Sequence, residues 1–228
     1  MTERELLRLH IEAVWSLTLP AIDESASELV LAQPFPPWSL YLGTFAQEEV
    51  ALWRPDVTPE QRLLSLENAR KAGDVWEQAL EMRREVVFLY PLIHPEHRAK
   101  AQQVARLLTV EDIALLDAFE PEGAPHMLDP RKAPYIGVVL DGRLLSIAHS
   151  ARQTLSACEL GIDTLPEARR RGYAAAAVTL WTAIVQQQGL VPIYSAFAWN
   201  TASLQLARAT GYTSHIDGVY GPVPEASE

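Results

Sequence analysis

The sequence predicts a mixed α/β (α+β) protein, a central mixed sheet flanked by helices, and three local patterns carry that prediction. Thr58-Pro59-Glu60-Gln61 is a strong helix start, with Thr at the N-cap, Pro at the first helical position and Gln completing a capping box. Tyr135 to Leu140 and Arg143 to Ser150 flank Asp141-Gly142, a pair that supplies the positive φ angles of a two-residue hairpin turn. Cys158 to Thr164 reads as a short strand, stopped by Pro166, that passes through three arginines into an alanine-rich helix.

Taken in order, residues 3 to 17 space Leu6, Leu7, His10, Ile11, Val14 and Trp15 by three and four, which predicts an amphipathic helix closed by Pro20. The Pro34, Pro36, Pro37 cluster marks a loop before a strand pair, Trp38 to Phe45 and Val50 to Trp53. The helix opened by Thr58 should run to about Lys71 and end at Gly73. A second helix from Asp74 turns Val75, Trp76, Ala79, Leu80 and Met82 inward, and Val86 to Tyr90 is short and apolar enough for a buried strand. Pro91 and Pro95 then break the chain, which sets a boundary near residues 91–101: an N-terminal helix-rich α/β region, 1–95, and a second domain, 102–228.

In the second domain Val104 to Leu108 reads as a strand and Thr109-Val110-Glu111-Asp112 as an acidic helix start followed by Ile113, Leu115, Leu116 and Phe119. A Pro/Gly-rich loop spans 121–134, and Leu155 to Thr164 forms the third strand of a meander with the hairpin. A helix from about Arg170 to Gln188 ends at Gly189, Leu190 to Phe197 is a strand, Asn200 opens the last helix, and Tyr212 to Tyr220 adds an edge strand.

The strand, turn and helix around 158–177 build an anion site, because the first helical N–H groups lack intrahelical partners and the helix dipole adds positive potential there. Gly172 and Ala174 remove bulk where a phosphate would approach the backbone. Arg169, Arg170 and Arg171 form a basic island at a helix start, where cations are otherwise unfavourable. The competing description is a surface turn leading into a packed helix.

Arg169-x-x-Gly172-x-Ala174 resembles the Arg/Gln-x-x-Gly-x-Gly/Ala signature of the GNAT superfamily of acetyl-CoA-dependent acetyltransferases, and Asn200 to Tyr212 resembles its second motif, an Asn opening a helix that ends in Gly-Phe or Gly-Tyr. The likeness covers roughly residues 102–220. It implies a GNAT-like sheet and transfer of an acetyl group from acetyl-CoA to an amine of a small molecule or peptide. It further implies that the pantetheine arm lies along the backbone of Ile162, Asp163 and Thr164, that Arg169, Arg170, Arg171, Gly172, Tyr173 and Ala174 hold the pyrophosphate, and that Asn200 and Ser203 support the cofactor arm. Asn200 is equally a good N-cap, and Ser203 an ordinary helical serine.

Direct transfer needs a deprotonated amine, a polarised carbonyl and a proton for the departing thiolate. Glu159 is the leading candidate base, since a carboxylate in an apolar strand is costly to bury unless paired, while a strand-edge glutamate facing water is the other reading. His149 on the preceding strand is the second candidate, and the two would share a site if register set them side by side. The tyrosine that many family members carry seven residues after the motif asparagine is Ala207 here, which leaves Tyr173, Tyr194, Tyr212 or water as the acid. That departure motivates a second hypothesis, a non-catalytic acyl-CoA-binding regulatory module.

Net charge −10 argues against nucleic acid as the main partner. No apolar run approaches membrane-spanning length, and the N-terminus lacks signal-peptide character, so a cytoplasmic location is expected. Cys158, the single cysteine, reads as a buried strand residue, and His94-Pro95-Glu96-His97 is the one close histidine pair; Pro95 argues against a helix that would align the rings, so no metal is expected. The first half is left open as a lid, a homodimerisation element or a degenerate copy of the second.

Overall fold

The computed structural model describes residues 1–46, 48–72, 81–90, 92–119 and 128–222. Gly73, the helix expected from Asp74, Pro91 and the 121–127 part of the Pro/Gly-rich loop lie outside the described residues. The chain divides into two compact units. The first gathers the described residues of 1–89, 195–205 and 213–228, and the second those of 90–194 and 206–212.

The first unit holds helices α1 (Glu3–Trp15) and α2 (Pro59–Lys71) and strands β1 (Glu28–Val30), β2 (Leu40–Phe45), β3 (Glu48–Trp53) and β4 (Arg83–Leu89), joined by Thr213–Gly221 near the chain's other end. The Thr58 capping box forms as the sequence predicts. Helix α1 stops at Trp15, where Ser16 turns left-handed at φ 54°, ahead of Pro20. Thr213–Gly221 pairs antiparallel with β2 on one side and with β4 on the other. The expectation of an edge strand there is therefore corrected: its partners sit more than a hundred residues upstream, and a local pattern cannot reveal them.

A cluster of Leu40, Leu42, Trp53, Val57, Ala69, Met82 and Val219 forms one core of this unit. Each of its leucine, valine and methionine side chains contributes about 1.5–3 kcal/mol when fully buried. A second interior region is polar and aromatic. His10 Nε2 lies 2.7 Å from Glu85 Oε1, which accepts from the Tyr41 hydroxyl at 2.9 Å, so one oxygen of the buried carboxylate meets both partners.

The second unit holds α3 (Pro95–Gln102), β5 (Arg106–Leu107), α4 (Ile113–Phe119), β6 (Ile136–Leu140), β7 (Arg143–Gln153), β8 (Ala157–Thr164), α5 (Tyr173–Gln187) and β9 (Val191–Phe197), whose last residues group with the first unit. Its strand order is β9-β8-β7-β6-β5, with β9 parallel to β8 and the rest antiparallel. The meander follows the sequence closely, and Asp141 (φ 49°) and Gly142 (φ 72°) make the hairpin turn. Helix α6 (Thr201–Ala209) and strand β10 (Thr213–Gly221) complete the chain.

Three boundaries differ from expectation. Pro95 opens α3 at its first turn instead of breaking the chain, because a proline there gives up an N–H that has no helical partner anyway. The strand expected over 104–108 shrinks to Arg106–Leu107, and Val104 and Ala105 instead donate back to Ala101. Helix α5 begins at Tyr173, not at Arg170, since Arg170 and Gly172 are both left-handed at φ 61° and 82°. The apolar face of α5, including Ala177, Val178 and Trp181, packs toward the meander, and Trp181 Nε1 donates to Ser150 Oγ at 3.3 Å.

Candidate active site

Strand β8 is held differently along its length. Its first residues pair on both sides: Ala157, Cys158 and Glu159 lie beside Val191, Pro192 and Ile193 of β9 and, for the latter two, beside Gln153 and Arg152 of β7. From Leu160 to Thr164 only β7 pairs with it among the described residues. Alternate amides and carbonyls of that stretch therefore face away from β7 with no ladder to fill. Ser146 secures the far end from the β7 side, donating to the Asp163 carbonyl at 3.0 Å and lying 2.7 Å from Thr164 Oγ1.

Past Thr164 the chain makes one tight turn, Pro166–Ala168, and then stays open to solvent from Arg169 through Gly172. Two of the three arginines do different things. Arg169 folds back, its Nε donating to the Thr164 carbonyl at 3.3 Å, which ties the turn to the end of β8. Arg170 holds a left-handed conformation at φ 61°, a strain of about 1–2 kcal/mol for a residue with a Cβ. Gly172 follows at φ 82° and caps α5 with backbone alone; a Cβ built there would meet nothing within 4 Å, so the space beside it is free.

Ala176 N–H donates to the Gly172 carbonyl at 3.0 Å, closing the first rung of α5. The amides of Tyr173, Ala174 and Ala175 precede that rung and point beyond the helix end. No acidic side chain occupies this first turn. Amides without helical partners, a positive dipole end and neighbouring guanidinium groups are features able to hold an anion at the end of the open β8 edge. Ile162, Asp163, Thr164 and Arg169 to Ala174 are thus brought into one continuous stretch, with Asp163 exposed at its rim. Partial dehydration against the strand still raises the Asp163 carboxyl above its ordinary value.

Glu159 and His149 share a face of the meander but are not opposite one another. Register sets Glu159 against Arg152 and His149 against Gly161. Glu159 is buried, and Arg152 Nη1 donates to its Oε2 at 2.6 Å, so the carboxylate is paired across the strands and does not face water. His149 stacks on Tyr135 at 5.9 Å between ring centroids, and its ring fills the space that a side chain at Gly161 would take. Gly161 lies two residues along β8 from Glu159, so His149 and Glu159 are diagonal neighbours on that face and not a directly opposed pair.

Asn200 and Ser203 belong to the first unit's share of α6. Asn200 Oδ1 accepts from Ser203 N–H at 3.1 Å, the N-cap geometry its residue type favours. Of the tyrosines weighed as acids, Tyr212 is fully packed, its hydroxyl lies 2.7 Å from Thr182 Oγ1, and burial pushes its phenol far up. Tyr194 is 1% exposed and meets Tyr212 edge-on at 5.4 Å. Tyr173, half-buried at the first position of α5, is the one of the three that keeps contact with water. Cys158 is fully buried and burial raises its thiol, as a structural strand cysteine requires.

Two contributors escape sequence reading. Arg152 is the partner of Glu159, and a bulge between Ser150 and Arg152 shifts the register that joins them. Ser146 clamps Thr164; its signal was a hydroxyl inside the apolar run Leu144-Leu145-Ser146-Ile147-Ala148. Among the described residues no three His, Cys, Asp or Glu side chains group as a metal would require, and no helix is long and apolar enough to cross a membrane.

The family model of GNAT acetyltransferases matches residues 135–217. Among solved structures the chain resembles a GNAT-family protein from Novosphingobium aromaticivorans DSM 12444, with 21% identity, a TM-score of 0.47, and coverage of 61% of this chain and 63% of that one. It also resembles a GCN5-related N-acetyltransferase-like protein from Streptococcus suis 89/1591, with 15% identity, a TM-score of 0.49, and coverage of 84% and 87%. A functionally unknown conserved protein from Staphylococcus epidermidis ATCC 12228 aligns over 96% of both chains at 13% identity and a TM-score of 0.51, which speaks for the fold. No relative is found among the curated proteins.

Proposed function

We propose that the chain, whose residues 135–217 match the family model of GNAT acetyltransferases, moves an acetyl group from acetyl-CoA directly to an amine of a small molecule or peptide. The observation that supports this most is the open β8 edge from Leu160 to Thr164 running into the uncapped start of α5. An extended, amide-bearing arm lying along that edge would meet free backbone donors and acceptors, and a diphosphate at its end would meet the amides of Tyr173, Ala174 and Ala175. Arg170 and Arg171 would add charge at the same place, while Arg169 holds the turn.

In such a transfer the amine nitrogen attacks the thioester carbonyl, the C–S bond breaks, one proton leaves the nitrogen and one reaches the thiolate sulfur. Glu159 is our candidate for taking the first proton, directly or through water, which requires Arg152 to yield; with its side chain half exposed, Arg152 has room to swing outward. Water is the candidate for supplying the second, since Tyr173 stands at the diphosphate end of the arm and not at its sulfur. An acceptor that arrives as an ammonium cation, in keeping with the acidic chain, first sheds one further proton to solvent so that it attacks as the neutral amine.

Incubating the protein with acetyl-CoA and polyamines, aminoglycosides, amino acids and peptide N-termini should release free thiol with at least one acceptor. Glu159→Gln should then lower kcat by about 100-fold or more while the Kd for CoA stays unchanged. Unchanged turnover accompanied by a lower Tm would reduce Glu159 to a structural partner of Arg152. A second reading, a cofactor-binding module without turnover, is favoured by buried Ala207 at the position of the family's usual tyrosine. Tight acetyl-CoA binding with an intact thioester under every acceptor would select it. Both readings fit a cytoplasmic protein acting alone or as a homodimer.

A further inference from the structure

Glu159 is the last residue of β8 with a strand on either side, Arg152 of β7 across from it on one and Ile193 of β9 on the other, and the open edge begins at the next residue. Its carboxylate is buried, while the side chain of Arg152, whose Nη1 donates to Oε2 at 2.6 Å, stays half exposed. The pair is therefore lopsided. The sheet fixes the acid, and the base can turn outward on its long stem.

Two further features set the pair apart. Without the bulge between Ser150 and Arg152, Ala151 would stand opposite Glu159; the bulge puts a guanidinium there instead. Arg106 spends two N–H groups on Asp112, Nη1 on Oδ2 at 2.9 Å and Nη2 on Oδ1 at 2.6 Å, and Arg131 grips Asp129 through Nε and Nη2. Arg152 gives Glu159 a single N–H. Among the described residues no other acceptor meets its remaining donors, so most of its fork is left for water or for a visitor.

We propose that Arg152 selects the acceptor, an amino acid whose carboxylate draws the guanidinium off Glu159 and whose amine then lies within reach of the released base. This rests on the acetyltransferase reading and narrows its acceptor. A planar guanidinium holds a carboxylate with two parallel N–H bonds, a stronger grip than its one contact with Glu159. Amine and carboxylate have to span only the gap that opens as Arg152 turns, which fits an α- or β-amino acid; polyamines, aminoglycosides and peptide N-termini lack a carboxylate at that spacing and leave Glu159 held. A zwitterion also brings the ammonium that the acidic chain favours. That ammonium sheds one proton to solvent, the amine nitrogen bonds the acetyl carbon as the C–S bond breaks, its surplus proton passes to Glu159, and the thiolate takes one from water.

Initial rates of thiol release from acetyl-CoA, measured for a panel of amino acids beside their carboxamides and decarboxylated amines, test the choice. At least one amino acid should exceed both of its analogues about 100-fold in kcat/KM. Arg152→Gln keeps an N–H donor for Glu159 and removes the charged fork; it should lower kcat/KM for that amino acid about 100-fold and leave the carboxamide within about twofold. Calorimetric titration of the full chain with the same amino acid, without the coenzyme, should show binding that Arg152→Gln loses. Amides and amines accepted as well as the acids, or an acid preference that survives Arg152→Gln, would overturn the proposal and leave the acetyltransferase reading standing. If no amine of any class releases thiol, that reading falls, and the titration decides alone: amino-acid binding that depends on Arg152 sustains the carboxylate site, and no such binding removes it.

Discussion

Helices α2 and α5 begin in opposite ways. At α2, Thr58 sits in an extended conformation, its hydroxyl accepts from Gln61 N–H at 3.3 Å, and Gln61 Oε1 accepts from Thr58 N–H at 3.0 Å. Glu60 adds a negative charge to the same turn. At α5 the cap is Gly172, left-handed, with no side-chain hydrogen bond and no acid in the first turn. One helix consumes its terminal potential internally, whereas the other leaves it available to something from outside. Sealed amides stabilise the fold and open ones cost stability, so an open helix start is best understood as capacity to bind.

If that contrast is right, it should be possible to erase it. Gly172→Asp puts a carboxylate where the anion would dock, and CoA affinity should fall about 10- to 100-fold by calorimetry; unchanged affinity would end the case for a phosphate cradle. At the sealed helix, Thr58→Ala should cost about 1 kcal/mol and about 2–4 °C in Tm, with CoA affinity untouched. Arg170→Gly should act in the opposite sense on stability. Relief of the left-handed strain should raise Tm by about 1–2 °C, while loss of one cation should weaken CoA about threefold.

The smallest effect belongs to the capping box at Thr109 and Asp112. Arg106 and the Thr109 amide hold the Asp112 carboxyl below its ordinary value. A depressed carboxyl gives stability that is present above the unfolded value, about 3.9, and lost as pH falls through the folded one. The unfolding free energy, measured by denaturant titration, should therefore fall below about pH 4 less steeply in Asp112→Asn than in the native chain, by at most about 1 kcal/mol because Arg106 is half exposed.

What the sequence made legible was local. Thr58 and Gln61, Asp141 and Gly142, and Gly172 after its arginines each act through neighbours a few residues away, and the structure realises the capping box, the hairpin and the basic turn. What it hid was register and partnership at a distance. The bulge after Ser150 decides that Glu159 meets Arg152 and that His149 meets Gly161, and no periodicity in either strand announces a bulge. Pro95 was ambiguous on its own, since proline starts helices as readily as it stops them. The interior place of β10 depended on β2 and β4, whose matching edges carry no label in the sequence.

That placement bears on how the protein is made. On a ribosome, β2 and β4 are synthesised long before the strand that lies between them. Until Thr213–Gly221 emerges, each presents an unfilled row of backbone donors and acceptors, a template for pairing with a neighbouring nascent chain. The first ninety residues thus depend on a strand translated more than a hundred residues later, and long-range pairing of that kind slows folding.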